Sequence, residues 1–74
     1  MIEWIEVGKH HFKAVDITGV YVVSRSNMSH QRFYYVGLDV GGVTHKIEFH
    51  RDHEATKEVE RIMKILKENV NEQD

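Results

Sequence analysis

The stretch RFYYVGLDVGGVTHKIEFHRDHEATKEVERIMKIL, residues 32–66, decides the fold because its hydrophobic period changes once, near residue 51. Before that point, apolar residues come in short runs rich in β-branched and aromatic types, which is typical of strands. After it, the apolar residues follow helical spacing: Ala55, Val59, Ile62, Met63, Leu66 and Val70. We therefore predict a helix over about residues 53–70, with Asp52 as its N-cap and a frayed tail over 71–74.

Glycines divide the first part of the chain into strands. Gly41-Gly42 separates two strand patterns and predicts a tight hairpin, and Gly8-Lys9 predicts a second reversal. Gly19 interrupts a long apolar run, where a bulge or bend is the usual reason for glycine. The polar segment SRSNMSHQ, residues 24–31, is typical of a loop.

Together these patterns predict a single α+β domain over residues 1–74. An antiparallel β-meander of four or five strands, strongly bent at Gly19, occupies about residues 1–50, and one C-terminal amphipathic helix packs on one of its faces. We expect Leu66 and Ile62 to form the core with strand residues of the covered face, namely Val36, Leu38, Ile47 and Phe49.

Composition excludes several classes of protein. The chain has 74 residues and no cysteine, which removes disulfides, cysteine-ligated zinc and thiol nucleophiles. Ten basic and twelve acidic residues give a net charge of -2, which favours neither nucleic acid nor an anionic membrane as a partner. No apolar run is long enough for a membrane span, and MIEWIEV carries acids where a secretory signal carries bases. We expect a cytoplasmic protein.

The middle strands are apolar on both faces, which one helix cannot cover. VYVV (residues 20–23) and FYYV (residues 33–36) place large side chains on each side of the sheet. Either the sheet curls at Gly19 and Gly37, so that its own strands and Trp4 cover the second face, or that face is a protein–protein surface. The second alternative predicts a homodimer or another protein partner, bound through this face or through an edge strand.

The candidate binding residues lie in the predicted loop and at the start of the strand that follows it: Arg25, His30, Arg32, Phe33 and Tyr35. Interleaved bases and aromatics could also stack single-stranded nucleic acid, with Arg25, Arg32 and the sheet tyrosines as the binding groups. Nucleic-acid affinity comes mainly from counterion release, however, and this charge balance provides little of it. Protein binding is therefore the preferred interpretation.

The six histidines raise the question of metal binding. His50 and His53 have an H-x-x-H spacing at the strand–helix junction, and His45 lies close in sequence. His45 falls on the opposite face of its strand from His50, so the strand cannot direct both at one ion. His50 and His53 thus remain weak metal candidates, and we predict no cofactor. Asp39 is interpreted as a turn-forming residue whose carboxylate accepts hydrogen bonds from local backbone N–H groups.

No arrangement of side chains predicts an enzyme. The layout of strand, Gly-Lys turn, meander, Gly-Gly hairpin and helix resembles that of many short bacterial and phage proteins. The last two strands and the helix resemble the C-terminal end of a pleckstrin-homology-like domain, whose seven strands this chain is too short to hold. Neither resemblance carries functional residues across. The sequence therefore predicts a small non-enzymatic protein-binding or regulatory protein.

Overall fold

The computed structural model describes residues 2–72. It contains five antiparallel strands, a short 3-10 turn at Ala14–Asp16 and one C-terminal helix, which confirms the predicted α+β class. The elements are β1 (Trp4–Val7), β2 (His10–Lys13), β3 (Ile17–Ser26), β4 (Arg32–Val40), β5 (Val43–Phe49) and α1 (Asp52–Glu72). The strands form two sheets: β1 pairs with β2, and β3, β4 and β5 form a three-stranded sheet in that order.

The predicted turns are present and depend on glycine where the backbone requires positive φ. Gly41 and Gly42 have φ of 57° and 84°, and they connect β4 to β5 at the pair Val40–Val43. Gly8, with φ of 62°, turns the chain between β1 and β2. The pairing of β3 with β4 shifts register between Ile17 and Gly19, which confirms the predicted irregularity at Gly19.

The loop between β3 and β4 is shorter than the sequence predicts. β3 continues to Ser26 and β4 begins at Arg32, so only residues 27–31 lie outside the ladder. The Asn27 side chain explains this, because its Oδ1 accepts hydrogen bonds from the backbone N–H groups of Ser29 (3.0 Å) and Gln31 (3.1 Å). Two backbone hydrogen bonds, from Asn27 N–H to the Gln31 carbonyl and from His30 N–H to the Asn27 carbonyl, close the same turn.

The helix begins one residue earlier than the predicted N-cap allows. The Arg51 carbonyl accepts the first helical hydrogen bond, from the Ala55 N–H at 3.2 Å, so Arg51 occupies the N-cap position and Asp52 is the first helical residue. Asp52 still lies where its charge favours the positive end of the helix dipole. At the other end the helix runs through Glu72, past the predicted residue 70; Gln73 and Asp74 of the expected frayed tail lie outside the described residues.

The core lies on the face of the three-stranded sheet that packs against α1, here called the inner face. Val36 and Leu38 of β4 are fully buried against Ala55 and Ile62 of α1, as predicted for Ile62. Leu66 packs against this core, as predicted, but it is only partly buried. The helix packs mainly on β3 and β4, which leaves Leu66 near the margin of the sheet.

The β1–β2 hairpin covers the part of the inner face that α1 leaves open. Its apolar residues Ile5, Val7 and Phe12 are buried in the same core. The Phe12 ring lies 5.1 Å from the His45 ring of β5, centroid to centroid. Trp4 remains 56% exposed, so it does not cover the outer face as one of the two sequence alternatives requires. The hairpin adds a second layer to the inner face instead.

Candidate functional site

The outer face of the sheet is the side of β3–β4–β5 opposite α1 and the β1–β2 hairpin. Side chains alternate along each strand, so this face receives the residues that do not point into the core. It consists of Tyr21, Val23, Arg25, Phe33, Tyr35, Gly37, Asp39, Thr44, Lys46 and Glu48. Within residues 2–72, no helix or strand packs over it.

The centre of the outer face is apolar and aromatic. Val23 lies opposite Tyr35, and Arg25 lies opposite Phe33, in the β3–β4 ladder. Val23, Phe33 and Tyr35 are each partly exposed, and Tyr21 is 36% exposed. Contacts among these neighbours along and across the strands account for their partial burial. The result is a contiguous patch of three aromatic rings and one valine.

Gly37 serves this patch by making room for an aromatic ring. It lies directly opposite Tyr21, and a Cβ atom at Gly37 would lie 2.8 Å from Cζ of the Tyr21 ring. The register at Gly37 is regular on both sides, so no bulge interrupts β4 at this residue. The glycine instead lets the Tyr21 ring lie flat across β4.

Asp39 fixes the end of the outer face nearest the Gly41-Gly42 turn. Its Oδ1 accepts hydrogen bonds from Thr44 Oγ1 (2.7 Å) and from Tyr21 Oη (3.2 Å). The sequence interpretation assigned its carboxylate to local backbone N–H groups, whereas its partners are hydroxyl groups of the two neighbouring strands. The bond from Tyr21 helps to hold its ring over Gly37, and the bond from Thr44 links β4 to β5.

The structure brings together three of the five predicted binding residues. Arg25, Phe33 and Tyr35 share the outer face, and Arg25 is the cross-strand partner of Phe33. Arg32 pairs with Ser26 and falls on the opposite side of β4, in line with Val36. His30 lies in the turn with φ of 62°, exposed and outside the ladder.

Sequence reasoning missed Tyr21 and Val23 as members of this site. Both lie two residues apart on β3, and their partners Gly37 and Tyr35 lie two residues apart on β4. The signal was present in the period-2 alternation, which places Tyr21, Val23 and Arg25 on one side. Only the register between β3 and β4 shows that this side is the one that carries Phe33 and Tyr35.

The charges on the outer face are balanced. Lys46 lies opposite Gly37 and Glu48 lies opposite Tyr35 in the β4–β5 ladder. With Arg25 and Asp39, the face holds two basic and two acidic side chains around the aromatic patch. Such a surface has no net field that would attract a polyanion.

The histidine candidates for metal binding gain no third ligand among residues 2–72. His50 lies in the bend after β5 and His53 in the first turn of α1, and both are exposed. Among the described residues, no three histidine, aspartate or glutamate side chains lie close enough to hold a metal ion. His45 is partly buried against Phe12, as expected for an aromatic histidine in a packed sheet.

Comparison with other proteins adds no relative from which a role could be transferred. No protein-family model, no curated protein and no solved structure matches this chain. Within residues 2–72, no helix has the continuous apolar length that crossing a membrane requires. The outer face is therefore interpreted from its own chemistry.

Proposed function

We propose that the protein is a small non-enzymatic binding or regulatory protein whose outer sheet face binds another protein. The observation that carries this proposal is the aromatic patch of Tyr21, Phe33 and Tyr35 on a face that neither α1 nor the β1–β2 hairpin covers. In an antiparallel sheet with one solvated face, that face is normally polar. Aromatic residues are favoured in binding sites because they bury a large area with few rotatable bonds.

The balance of charge supports a protein partner over a nucleic acid. Arg25 and Lys46 are offset by Asp39 and Glu48 on the same face, and Arg32 lies on the other side of its strand. A single-stranded nucleic acid would need bases along its path to release counterions. A polar rim of both signs around an apolar centre is instead the usual composition of a protein–protein interface.

The proposal retains the cytoplasmic location expected from the sequence. A domain of this size that is exported usually relies on disulfides for stability, and this chain has no cysteine.

Site-specific photo-crosslinking in the native host tests the proposal. Tyr35 is replaced by the photoreactive amino acid benzoylphenylalanine, which preserves an aromatic group in the patch. The matched control carries the same amino acid at Lys57, an exposed position on the helix. We expect a discrete protein adduct from position 35 that is absent from position 57 and is lost when Phe33→Ser is added.

Two results would contradict the proposal. The first is an identical set of adducts from positions 35 and 57, which would show only random encounters. The second is an adduct at position 35 that nuclease removes, which would favour the single-stranded nucleic-acid alternative. In that case, anisotropy of a labelled oligonucleotide should show binding that weakens steeply with salt.

A further inference from the structure

The central part of the free β3 edge lacks the residues that usually prevent a strand edge from pairing. β3 is a strand of ten residues, and within the described part of the chain no strand pairs with its other side. The segment from Gly19 to Ser24 contains neither a charged residue nor a proline. The features that discourage pairing there are confined to its two ends, a register shift at the start and Arg25 at the end.

The opposite edge of the sheet, on β5, is protected. Lys46 and Glu48 place charges along β5, and the hairpin covers the inner face beside it, where Gly8 approaches Ile47. Natural sheets use such charges and coverings to prevent edge-to-edge pairing. The two edges therefore differ in their capacity to accept another strand.

An apolar groove runs between the free edge of β3 and the helix. Ile17, Gly19 and Val20 of the strand and Met63 and Leu66 of the helix line it. Met63 is 55% exposed, Val70 is 65% exposed and Val22 on the inner face of β3 is 37% exposed. The apolar stripe of α1 thus continues past the core toward solvent, on the same side as the unpaired edge.

We propose that a second copy of this chain covers this side, with β3 pairing antiparallel to β3 of the copy across a twofold axis. The two sheets then become one continuous six-stranded sheet with both α1 helices on its inner side. An axis at Tyr21 places Val20 opposite Val22 of the second copy, a pair of β-branched residues on the inner side beside the groove.

The spacing of the elements fits this arrangement. Paired strands lie about 4.8 Å apart. Because α1 packs over β3 and β4, the helices of the two copies would lie about two strand spacings from each other, roughly 10 Å. Packed helices lie about 8–10 Å apart. Pairing of the strands therefore brings Met63 and Val70 into helix–helix contact without any movement of α1.

The charges on this side of the helix are self-complementary. Glu60 and Lys67 are exposed and lie three residues before and four residues after Met63, so all three share one side of α1. A twofold axis near Met63 runs the two helices antiparallel and brings each Glu60 toward Lys67 of the second copy. This symmetry of opposite charges favours a second copy over an unrelated extended peptide as the occupant.

This self-association does not depend on the proposed function, because it uses the edge of β3 and the inner side of the sheet. The outer face remains open in the pair, and its two aromatic patches become parts of one surface. Of the two routes to a homodimer that the sequence allows, the edge strand is the one we infer.

Sedimentation equilibrium on a set of charge variants tests the pairing. We expect the wild-type protein to sediment with twice the mass of one chain at micromolar concentrations. Met63→Glu, at an exposed position, should raise the dissociation constant by about tenfold or more while leaving the circular dichroism of the chain unchanged. Glu60→Lys alone should weaken the pair, and Glu60→Lys combined with Lys67→Glu should restore it.

Two controls separate this surface from the others. Lys57→Glu makes the same lysine-to-glutamate change as Lys67→Glu, but on the far side of the helix. It should leave the dissociation constant unchanged. Phe33→Ser removes an aromatic group of the outer face and should also leave it unchanged. Amide exchange provides an independent measurement: the amides of residues 19–24 that point away from β4 should be protected in wild type and exchange rapidly in Met63→Glu.

A single-chain mass at every concentration would overturn the proposal. So would a dimer that Phe33→Ser dissociates and Met63→Glu does not, because it would place the contact on the outer face. A failure of the double charge exchange to restore the pair would exclude the antiparallel helix contact. None of these results alters the crosslinking at position 35, which tests the outer face separately.

Discussion

The two sides of the core are closed in different ways. On the β5 side, the β1–β2 hairpin packs on the sheet and is also bound to the helix. The Asn69 side chain exchanges two hydrogen bonds with the Ile2 backbone, at 3.0 and 2.7 Å, and the Arg61 guanidinium donates to the Glu6 carbonyl at 2.6 Å. On the β3 side, the chain provides no such cover within residues 2–72, and Met63 and Val22 remain exposed.

This difference shows how a chain of 74 residues distributes a limited supply of apolar segments. A small domain buries a low fraction of its surface and cannot enclose its core on every side. Here the N-terminal hairpin covers one side, whereas the other side ends in an apolar groove and an unpaired strand edge. The closed side should therefore dominate the stability of the single chain, and the open side should dominate its association.

The largest expected effect comes from truncating the helix on its buried side. Ile62 is fully buried, so Ile62→Ala should lower the free energy of unfolding by about 2–5 kcal/mol through lost transfer energy and a residual cavity. Leu66 is partly exposed at the open side, so Leu66→Ala should cost clearly less. Urea unfolding of the two variants measures the difference; equal losses would show that the β3 side is packed as tightly as the centre.

A smaller effect tests the contact between the hairpin turn and β5. Gly8→Ala places a Cβ 3.0 Å from Cγ2 of Ile47 at a φ of 62°, whereas Gly41→Ala meets nothing within 4 Å at a similar φ of 57°. The left-handed backbone should cost each variant about 1–2 kcal/mol. Thermal melting should rank Gly8→Ala below Gly41→Ala. Equal melting temperatures would show that the hairpin does not contact β5 closely at Gly8.

The smallest effect concerns the hydrogen bonds that join the N-terminal segment to the helix. Asn69→Ala removes both bonds to the Ile2 backbone and should cost about 1 kcal/mol, since both groups are near solvent. Lys57→Ala, on the exposed side of the helix, is the matched control and should change stability by less than about 0.5 kcal/mol. Chemical denaturation measures the free energy of unfolding of both variants. An equal loss would show that the Asn69 hydrogen bonds do not stabilise the β5 side.

Local signals in the sequence predict most of the elements but fewer of their contacts. The Gly41-Gly42 hairpin was predictable from its two glycines, and the helix was predictable from the spacing of its apolar residues. Each depends only on residues that are close together in the chain. The pairing of Arg25 with Phe33 was not predictable, because residues 24–26 were expected to lie in the loop and the ladder in fact continues through Ser26. The half-exposed state of Leu66 depends on where the helix lies on the sheet, which no helical period specifies.

The sequence by itself determined the α+β class, the glycine turns, the irregularity at Gly19 and the apolar character of both faces of the middle strands. These features follow from backbone preferences and from side-chain alternation, which act within a few residues. Only the tertiary structure decided that the β1–β2 hairpin leaves the larger sheet and packs on its inner face, that Tyr21 covers Gly37, and that β3 keeps a free edge. Each of these depends on the packing of segments that are distant in the chain, where burial of apolar surface selects among pairings that local preference leaves equivalent.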